Sequence, residues 1–123
     1  MEIDVLLQVE PLGARVPIFA ENGANVIGEA KRYSSAPKTE WVNEMRGFMD
    51  TKRTTFGILF LGCKSRTLAS DIRTAIALHR AQGRNIVPFG TKQLEQVKSG
   101  VAFLRVLADQ YTAAAFASST LEI

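Results

Sequence analysis

The run Thr54-Thr55-Phe56-Gly57-Ile58-Leu59-Phe60-Leu61 constrains this chain more than any other stretch. It is nearly continuous in apolar, β-prone residues, and Gly62 ends it. A strand with one wet face alternates apolar and polar residues, so a strand that does not alternate has to be covered on both faces. Helices on a sheet provide that cover, which predicts an α/β architecture. With 123 residues, 46% hydrophobic and 22% charged, the chain can bury one core of that kind.

The flanks agree. Thr39 can cap a helix over 40–52, with Trp41, Val42, Met45, Phe48 and Met49 on one stripe. After the apolar run, Ser65 or Thr67 can cap a helix over 67–82, whose apolar positions are Leu68, Ile72, Ala75, Ile76 and His79 and which Gly83 stops. Residues 85–89 read as a short strand, with Pro88 placing its end near an edge. A last helix is expected over 91–111, where Leu94, Val97, Val101, Leu104 and Ala108 recur at coiled-coil-like spacing. Residues 54–61 and 85–89 should be parallel, joined by a right-handed crossover.

Before the first helix, residues 2–9 are β-rich, and Pro11 and Gly13 break them. Val16-Pro17-Ile18-Phe19 suits a short edge strand, and Glu21-Asn22-Gly23-Ala24 a turn. Residues 25–31 form a further strand. The expected order is β-β-β-α-β-α-β-α, a mixed sheet flanked by helices. Residues 1–112 form the domain, and the small-residue segment 113–123 a C-terminal tail.

The chemistry of interest sits where strand 25–31 ends in Glu29-Ala30-Lys31. Alternation puts Glu29 and Lys31 on one face with Ile27 behind them. A carboxylate beside an ammonium suits a divalent metal next to a cation that handles a phosphate or a water. The tripeptide alone is weak, expected ~0.4 times by chance in a chain this long. Asp4 strengthens it, because residues 2–9 can neighbour strand 25–31. Asp4, Glu29 and the Ala30 carbonyl can then converge on Mg²⁺ or Mn²⁺, hard cations that take oxygen ligands. Lys31 can orient a metal-bound water or offset developing charge. The competing reading is a surface aspartate plus an exposed Glu-x-Lys ion pair.

Taken together, Ile3-Asp4-Val5-Leu6, Val26-Ile27-Gly28-Glu29-Ala30-Lys31-Arg32-Tyr33, the following helix and Phe56-Gly57-Ile58-Leu59-Phe60-Leu61 resemble the PD-(D/E)xK nuclease superfamily, most closely its Mrr-type restriction endonuclease branch. The resemblance covers most of residues 3–98. It implies a restriction-endonuclease-like fold and a Mg²⁺- or Mn²⁺-dependent DNA endonuclease, with Asp4, Glu29 and Lys31 catalytic and Asp4, Glu29 and Ala30 around the metal. Arg32, Tyr33, Ser34 and Lys38 would contact the nucleic-acid backbone. The sequence departs from the branch in having Glu29 where Gln is frequent and in lacking a Pro before Asp4. It also lacks the usual first helix and strand, which implies a fragment of a larger protein or a part supplied by another chain.

The remaining features fit several functions. Net charge is +3 and the isoelectric point about 9.3, which permits a polyanionic partner without demanding one. Arg32, Lys38, Arg46, Lys52, Arg53, Lys64 and Arg66 crowd into residues 32–66 and could form a phosphate-attracting surface. Cys63 is the single cysteine and has no zinc-ligand spacing around it. His79 reads as a partly buried packing residue, and Glu40 and Glu44 as surface charges. No apolar run approaches the ~20 residues of a membrane span, so a cytoplasmic protein with no membrane partner is expected. Two other classes stay open. One is a nuclease-like module without catalysis, assembling as a homodimer through the apolar last helix. The other is a nucleotide-binding α/β domain, for which Gly62-Cys63-Lys64-Ser65 is a poor phosphate loop.

Overall fold

Phe56, Ile58, Leu59 and Leu61 are each at most 2% exposed, as the apolar run requires. The computed structural model describes residues 5–8, 18, 22, 25–32, 36–116 and 121–123. Among these the order is β1 (Val5–Gln8), β2 (Asn25–Arg32), α1 (Thr39–Lys52), β3 (Phe56–Gly62), α2 (Ser70–Ala81), β4 (Asn85–Phe89), α3 (Thr91–Lys98) and α4 (Phe103–Phe116). The sheet order is β1-β2-β3-β4. β1 runs antiparallel to β2, while β2, β3 and β4 are parallel, with Glu29 beside Leu59, Lys31 beside Leu61 and Leu59 beside Pro88. The chain is therefore mixed α/β with three parallel strands.

Side-chain alternation divides the core in two. Ile27, Leu59, Leu61 and Ile86 face Trp41, Val42, Met45 and Met49 of α1 and Ile72, Ala75 and Ile76 of α2. Val26, Phe56, Ile58, Val87 and Phe89 face Val106, Leu107 and Tyr111 of α4, together with Ile18. Consecutive crossovers of one hand put α1 and α2 on the same face. The helix ends follow local chemistry. α1 stops at Arg53, which adopts the left-handed conformation (φ 55°) and donates its N–H to the Asp50 carbonyl, while the Thr54 N–H donates to the Met49 carbonyl. Gly57 lets α1 lie close to the sheet, since a Cβ there would sit 3.0 Å from both the Met45 and Met49 sulfurs.

Several expectations change. Ile18 and Asn22 have helical backbone, so they are neither edge strand nor hairpin turn. The other residues of 16–19 and 21–24 lie outside the described residues. Asn22 is buried, and its amide donates to the Ile18 carbonyl (2.7 Å) and the Tyr111 hydroxyl (3.1 Å). The tertiary bond to Tyr111 and burial override its local turn preference. β1 pairs directly with β2, and among the described residues no strand lies between them. The single helix expected over 91–111 is two helices. Gly100 has φ 107° and donates to the Val97 carbonyl, and Val101 donates to Gln96, which closes α3 and redirects the chain.

Segment 113–123 has two parts in the structure. Residues up to Phe116 continue α4, and Leu121 and Ile123 are buried in the core shared by α1 and α2. Ile123 fits because residue 90 is glycine: a Cβ at Gly90 would lie 2.5 Å from the Ile123 Cβ. Gly90→Ala is therefore expected to cost about 2 kcal/mol through overpacking, read as a lower denaturant midpoint with an unchanged slope. A neutral result would show that Ile123 is loosely held.

Candidate functional site

Glu29 and Lys31 lie near the carboxyl end of β2, the side on which open α/β sheets place their ligands. Both belong to the face covered by α1, next to Leu59 and Leu61 of β3. Glu29 is 4% exposed, so the pair is not an exposed ion pair on the surface. The Lys31 ammonium is 3.7 Å from a Glu29 carboxylate oxygen, and the Lys31 side chain keeps 16% of its surface. Trp41, in the first turn of α1, lies with its ring centroid 6.0 Å from the Lys31 Nζ. A cation over an indole face is attracted by the ring's electron density. Carboxylate, ammonium and indole thus form one charge-compensated cluster between sheet and helix.

The other expected residues are dispersed. Ala30 and Arg32 lie on the opposite side of the β2 alternation and are exposed. Lys38 is exposed just before α1 and pairs with Glu40 at 3.9 Å. Asp4, Tyr33 and Ser34 lie outside the described residues. Val5, next to Asp4 in sequence, pairs with Gly28, next to Glu29. Among the described residues no three His, Cys, Asp or Glu side chains gather as a metal site. The Glu29 carboxylate is a hard oxygen donor of the kind Mg²⁺ or Mn²⁺ takes, but one carboxylate does not complete a coordination shell. The basic residues of 32–66 are not a bare stripe either. Arg46 is held by Asp50 at 2.9 Å, and Arg66 lies 3.8 Å from Glu95.

A second polar cluster, not foreseen from the sequence, joins α1 to α2. Asp50 accepts from both Arg46 and Arg84. Arg46 Nη1 donates to His79 Nδ1 at 3.1 Å and also to Gln82. With Nδ1 accepting, the ring proton sits on Nε2 and donates to the Asn43 side-chain Oδ1 at 2.9 Å. The one signal in the sequence was the i,i+4 spacing of Arg46 and Asp50.

Burial, then the Arg46 charge, lower the His79 pKa below 6.5, while Asp50 opposes them. The hydrogen bonds from Arg84 and Arg46 lower Asp50 below 3.8. Folded His79 holds its proton less readily than unfolded His79. The unfolded chain thus binds more protons just below pH 6.5, and stability should fall as pH drops through that window. Asp50 acts in the same direction, at pH below 3.8. We expect the melting temperature to decline from pH 6.5 to 5, with a shallower decline in His79→Gln. Equal slopes in the two proteins would exclude His79 as the cause.

No family model, no curated protein and no solved structure matches this chain.

Proposed function

We propose that the chain is the core of a metal-dependent DNA endonuclease of the PD-(D/E)xK type, with a restriction-endonuclease-like fold, acting in the cytoplasm as part of a larger restriction or DNA-processing protein. The observation that carries this reading is the 3.7 Å Glu29–Lys31 pair near the carboxyl end of β2, packed between sheet and α1. The strand arrangement supports it: an antiparallel β1–β2 pair precedes α1 and the parallel β3, as the resemblance requires. In this reading Glu29, with Asp4 and the Ala30 carbonyl, would hold Mg²⁺ or Mn²⁺, which when bound would supply an activated water and charge compensation at the phosphate. Lys31 stabilises negative charge as it develops, from a position its carboxylate neighbour and Trp41 hold fixed. Arg32, Tyr33, Ser34 and Lys38 contact the DNA backbone.

A second reading keeps the fold without the chemistry. Leu94, Val101, Leu104 and Phe116 are exposed on α3, α4 and their junction, which suits assembly, for instance as a homodimer. Plasmid nicking separates the two. With Mg²⁺ or Mn²⁺ the wild type should cut, chelator should stop it, and Glu29→Gln and Asp4→Ala should each reduce the rate about 100-fold or more. Cutting that survives chelator and both substitutions would refute the nuclease. Self-association that persists in Lys31→Ala, without cutting in any metal, would establish the assembly reading.

A further inference from the structure

A cleft of about 280 Å³ opens between α2 and the C-terminal half of α4, and shares no residue with the Glu29–Lys31–Trp41 cluster. Its walls are apolar: Ile76 of α2, Ala114 and Ala115 of α4, and Leu121. The polar side chains that line it are Arg73 and Arg80, and none is acidic. Arg73, Ile76 and Arg80 share one face of α2, because residues three, four and seven apart line up on a helix. Opposite them α4 presents alanines, whose side chains end at Cβ and leave a gap between the helices.

The walls are held in place. Ile76 and Leu121 are each 3% exposed. The Leu121 carbonyl accepts from the Leu68 N–H at 3.0 Å, and the Ile123 N–H donates to the Arg66 carbonyl at 2.8 Å. Between them the Glu122 carbonyl accepts from the side-chain amides of the buried Gln93 and Gln110, at 3.1 and 3.0 Å. A site with ordered walls gives up little freedom when a ligand enters. Charge singles out Arg80. Arg46, Arg66 and Arg84 each lie against a carboxylate. Among the described residues no carboxylate pairs with Arg80. Its guanidinium carbon is instead 4.7 Å from the Tyr111 ring centroid. The ring attracts the cation without neutralising it, so a half-buried positive charge borders an apolar cleft.

We propose that this cleft binds a small carboxylate with an apolar tail. The guanidinium of Arg80 holds the carboxylate, whose two oxygens match its fork of N–H donors. The tail lies on Ile76, Leu121 and the alanines. Arg73, two helical turns from Arg80, adds positive charge, and its methylene stem extends the apolar wall. At about 30 Å³ per water in the liquid, the volume suits about nine non-hydrogen atoms. A phosphate head would use more than half of them and leave the apolar wall largely uncovered. A carboxylate of about seven carbons fills the same space.

The test uses the full chain, labelled with ¹⁵N, and heptanoate, with acetate, inorganic phosphate and heptylammonium as comparisons. Titration to ~10 mM covers the millimolar affinity expected of so small a ligand. Heptanoate should shift the Ala114, Ala115 and Leu121 amide signals and the Arg80 Nε–H signal along a saturating curve. Acetate and phosphate, which lack the tail, should bind at least about tenfold more weakly, and heptylammonium should not bind. Arg80→Met keeps the stem and removes the charge. It should weaken heptanoate about tenfold while the β3 amide signals stay where they are. Heptanoate that moves none of these signals, or heptylammonium that binds as well, would overturn the proposal. So would acetate or phosphate binding as tightly as heptanoate, because the arginines would then act as surface charge without the cleft. Wild-type affinity for heptanoate in Arg80→Met would refute the assigned head-group contact and the proposal with it.

Discussion

Lys31→Met is expected to destabilise the fold by about 3 kcal/mol, because it removes the ammonium that lies 3.7 Å from the buried Glu29 carboxylate. Methionine keeps the stem that packs towards Trp41, so the loss reports charge rather than volume. Glu29→Gln should cost less, since a lysine whose side chain retains some exposure can turn its head to water. The double variant should be more stable than the two single losses predict, with a coupling of about 1–3 kcal/mol in urea unfolding. Additive losses would mean that the 3.7 Å approach carries no energetic weight. The same set separates structure from chemistry. If Lys31 acts on the phosphate, the double variant recovers part of the stability and none of the DNA cleavage. If the pair is purely structural, there is no cleavage to lose in any of the four proteins.

The second large effect is expected at Ile123. Truncation to alanine empties a site that is 1% exposed and should cost about 3 kcal/mol. For a chain of this size that is roughly a 10 °C drop in melting temperature. Gly90→Ala in the same molecule should then cost less than it does alone, because the added methyl enters the space Ile123 has left. Calorimetry on the two single variants and the double one reads this directly. An Ile123→Ala protein as stable as wild type would remove Leu121–Ile123 from the core.

How much of this was legible depends on the range of the interactions. The apolar run 54–61, the helix before it and the strand over 85–89 are written in local periodicity, and β3, α1 and β4 formed there within about two residues. The break at Gly100 was hidden because apolar residues three and four apart continue across it. A glycine with positive φ was the one local hint. Asn22 reads as a turn residue until Tyr111, Thr55 and Asn85 are brought to it. Leu121 and Ile123 carry no signal at all, since their partners are Arg66, Leu68 and Gly90.

The same holds at the site. The period of two put Glu29 and Lys31 on one face, as the structure has them. That Glu29 is buried, and that Trp41 approaches the ammonium, depends on where α1 crosses the sheet. Asp4, Tyr33 and Ser34 lie outside the described residues, so the full ligand set rests on the resemblance. His79 was read as a packing residue. It is partly buried as expected, but its two ring nitrogens are hydrogen-bonded across two helices.

The seat of Leu121 and Ile123 among the side chains of α1 and α2 also bears on synthesis. Residues 66–68 and 90 are made well before the segment they receive. At translation rates of 5–20 residues per second, roughly 2–7 s separate the synthesis of Gly90 from that of Ile123. During the last of that time α1, α2 and the sheet can assemble around an unfilled socket lined by two glutamine amides. Until Leu121–Ile123 arrive, the nascent chain therefore exposes apolar surface that these residues cover once seated.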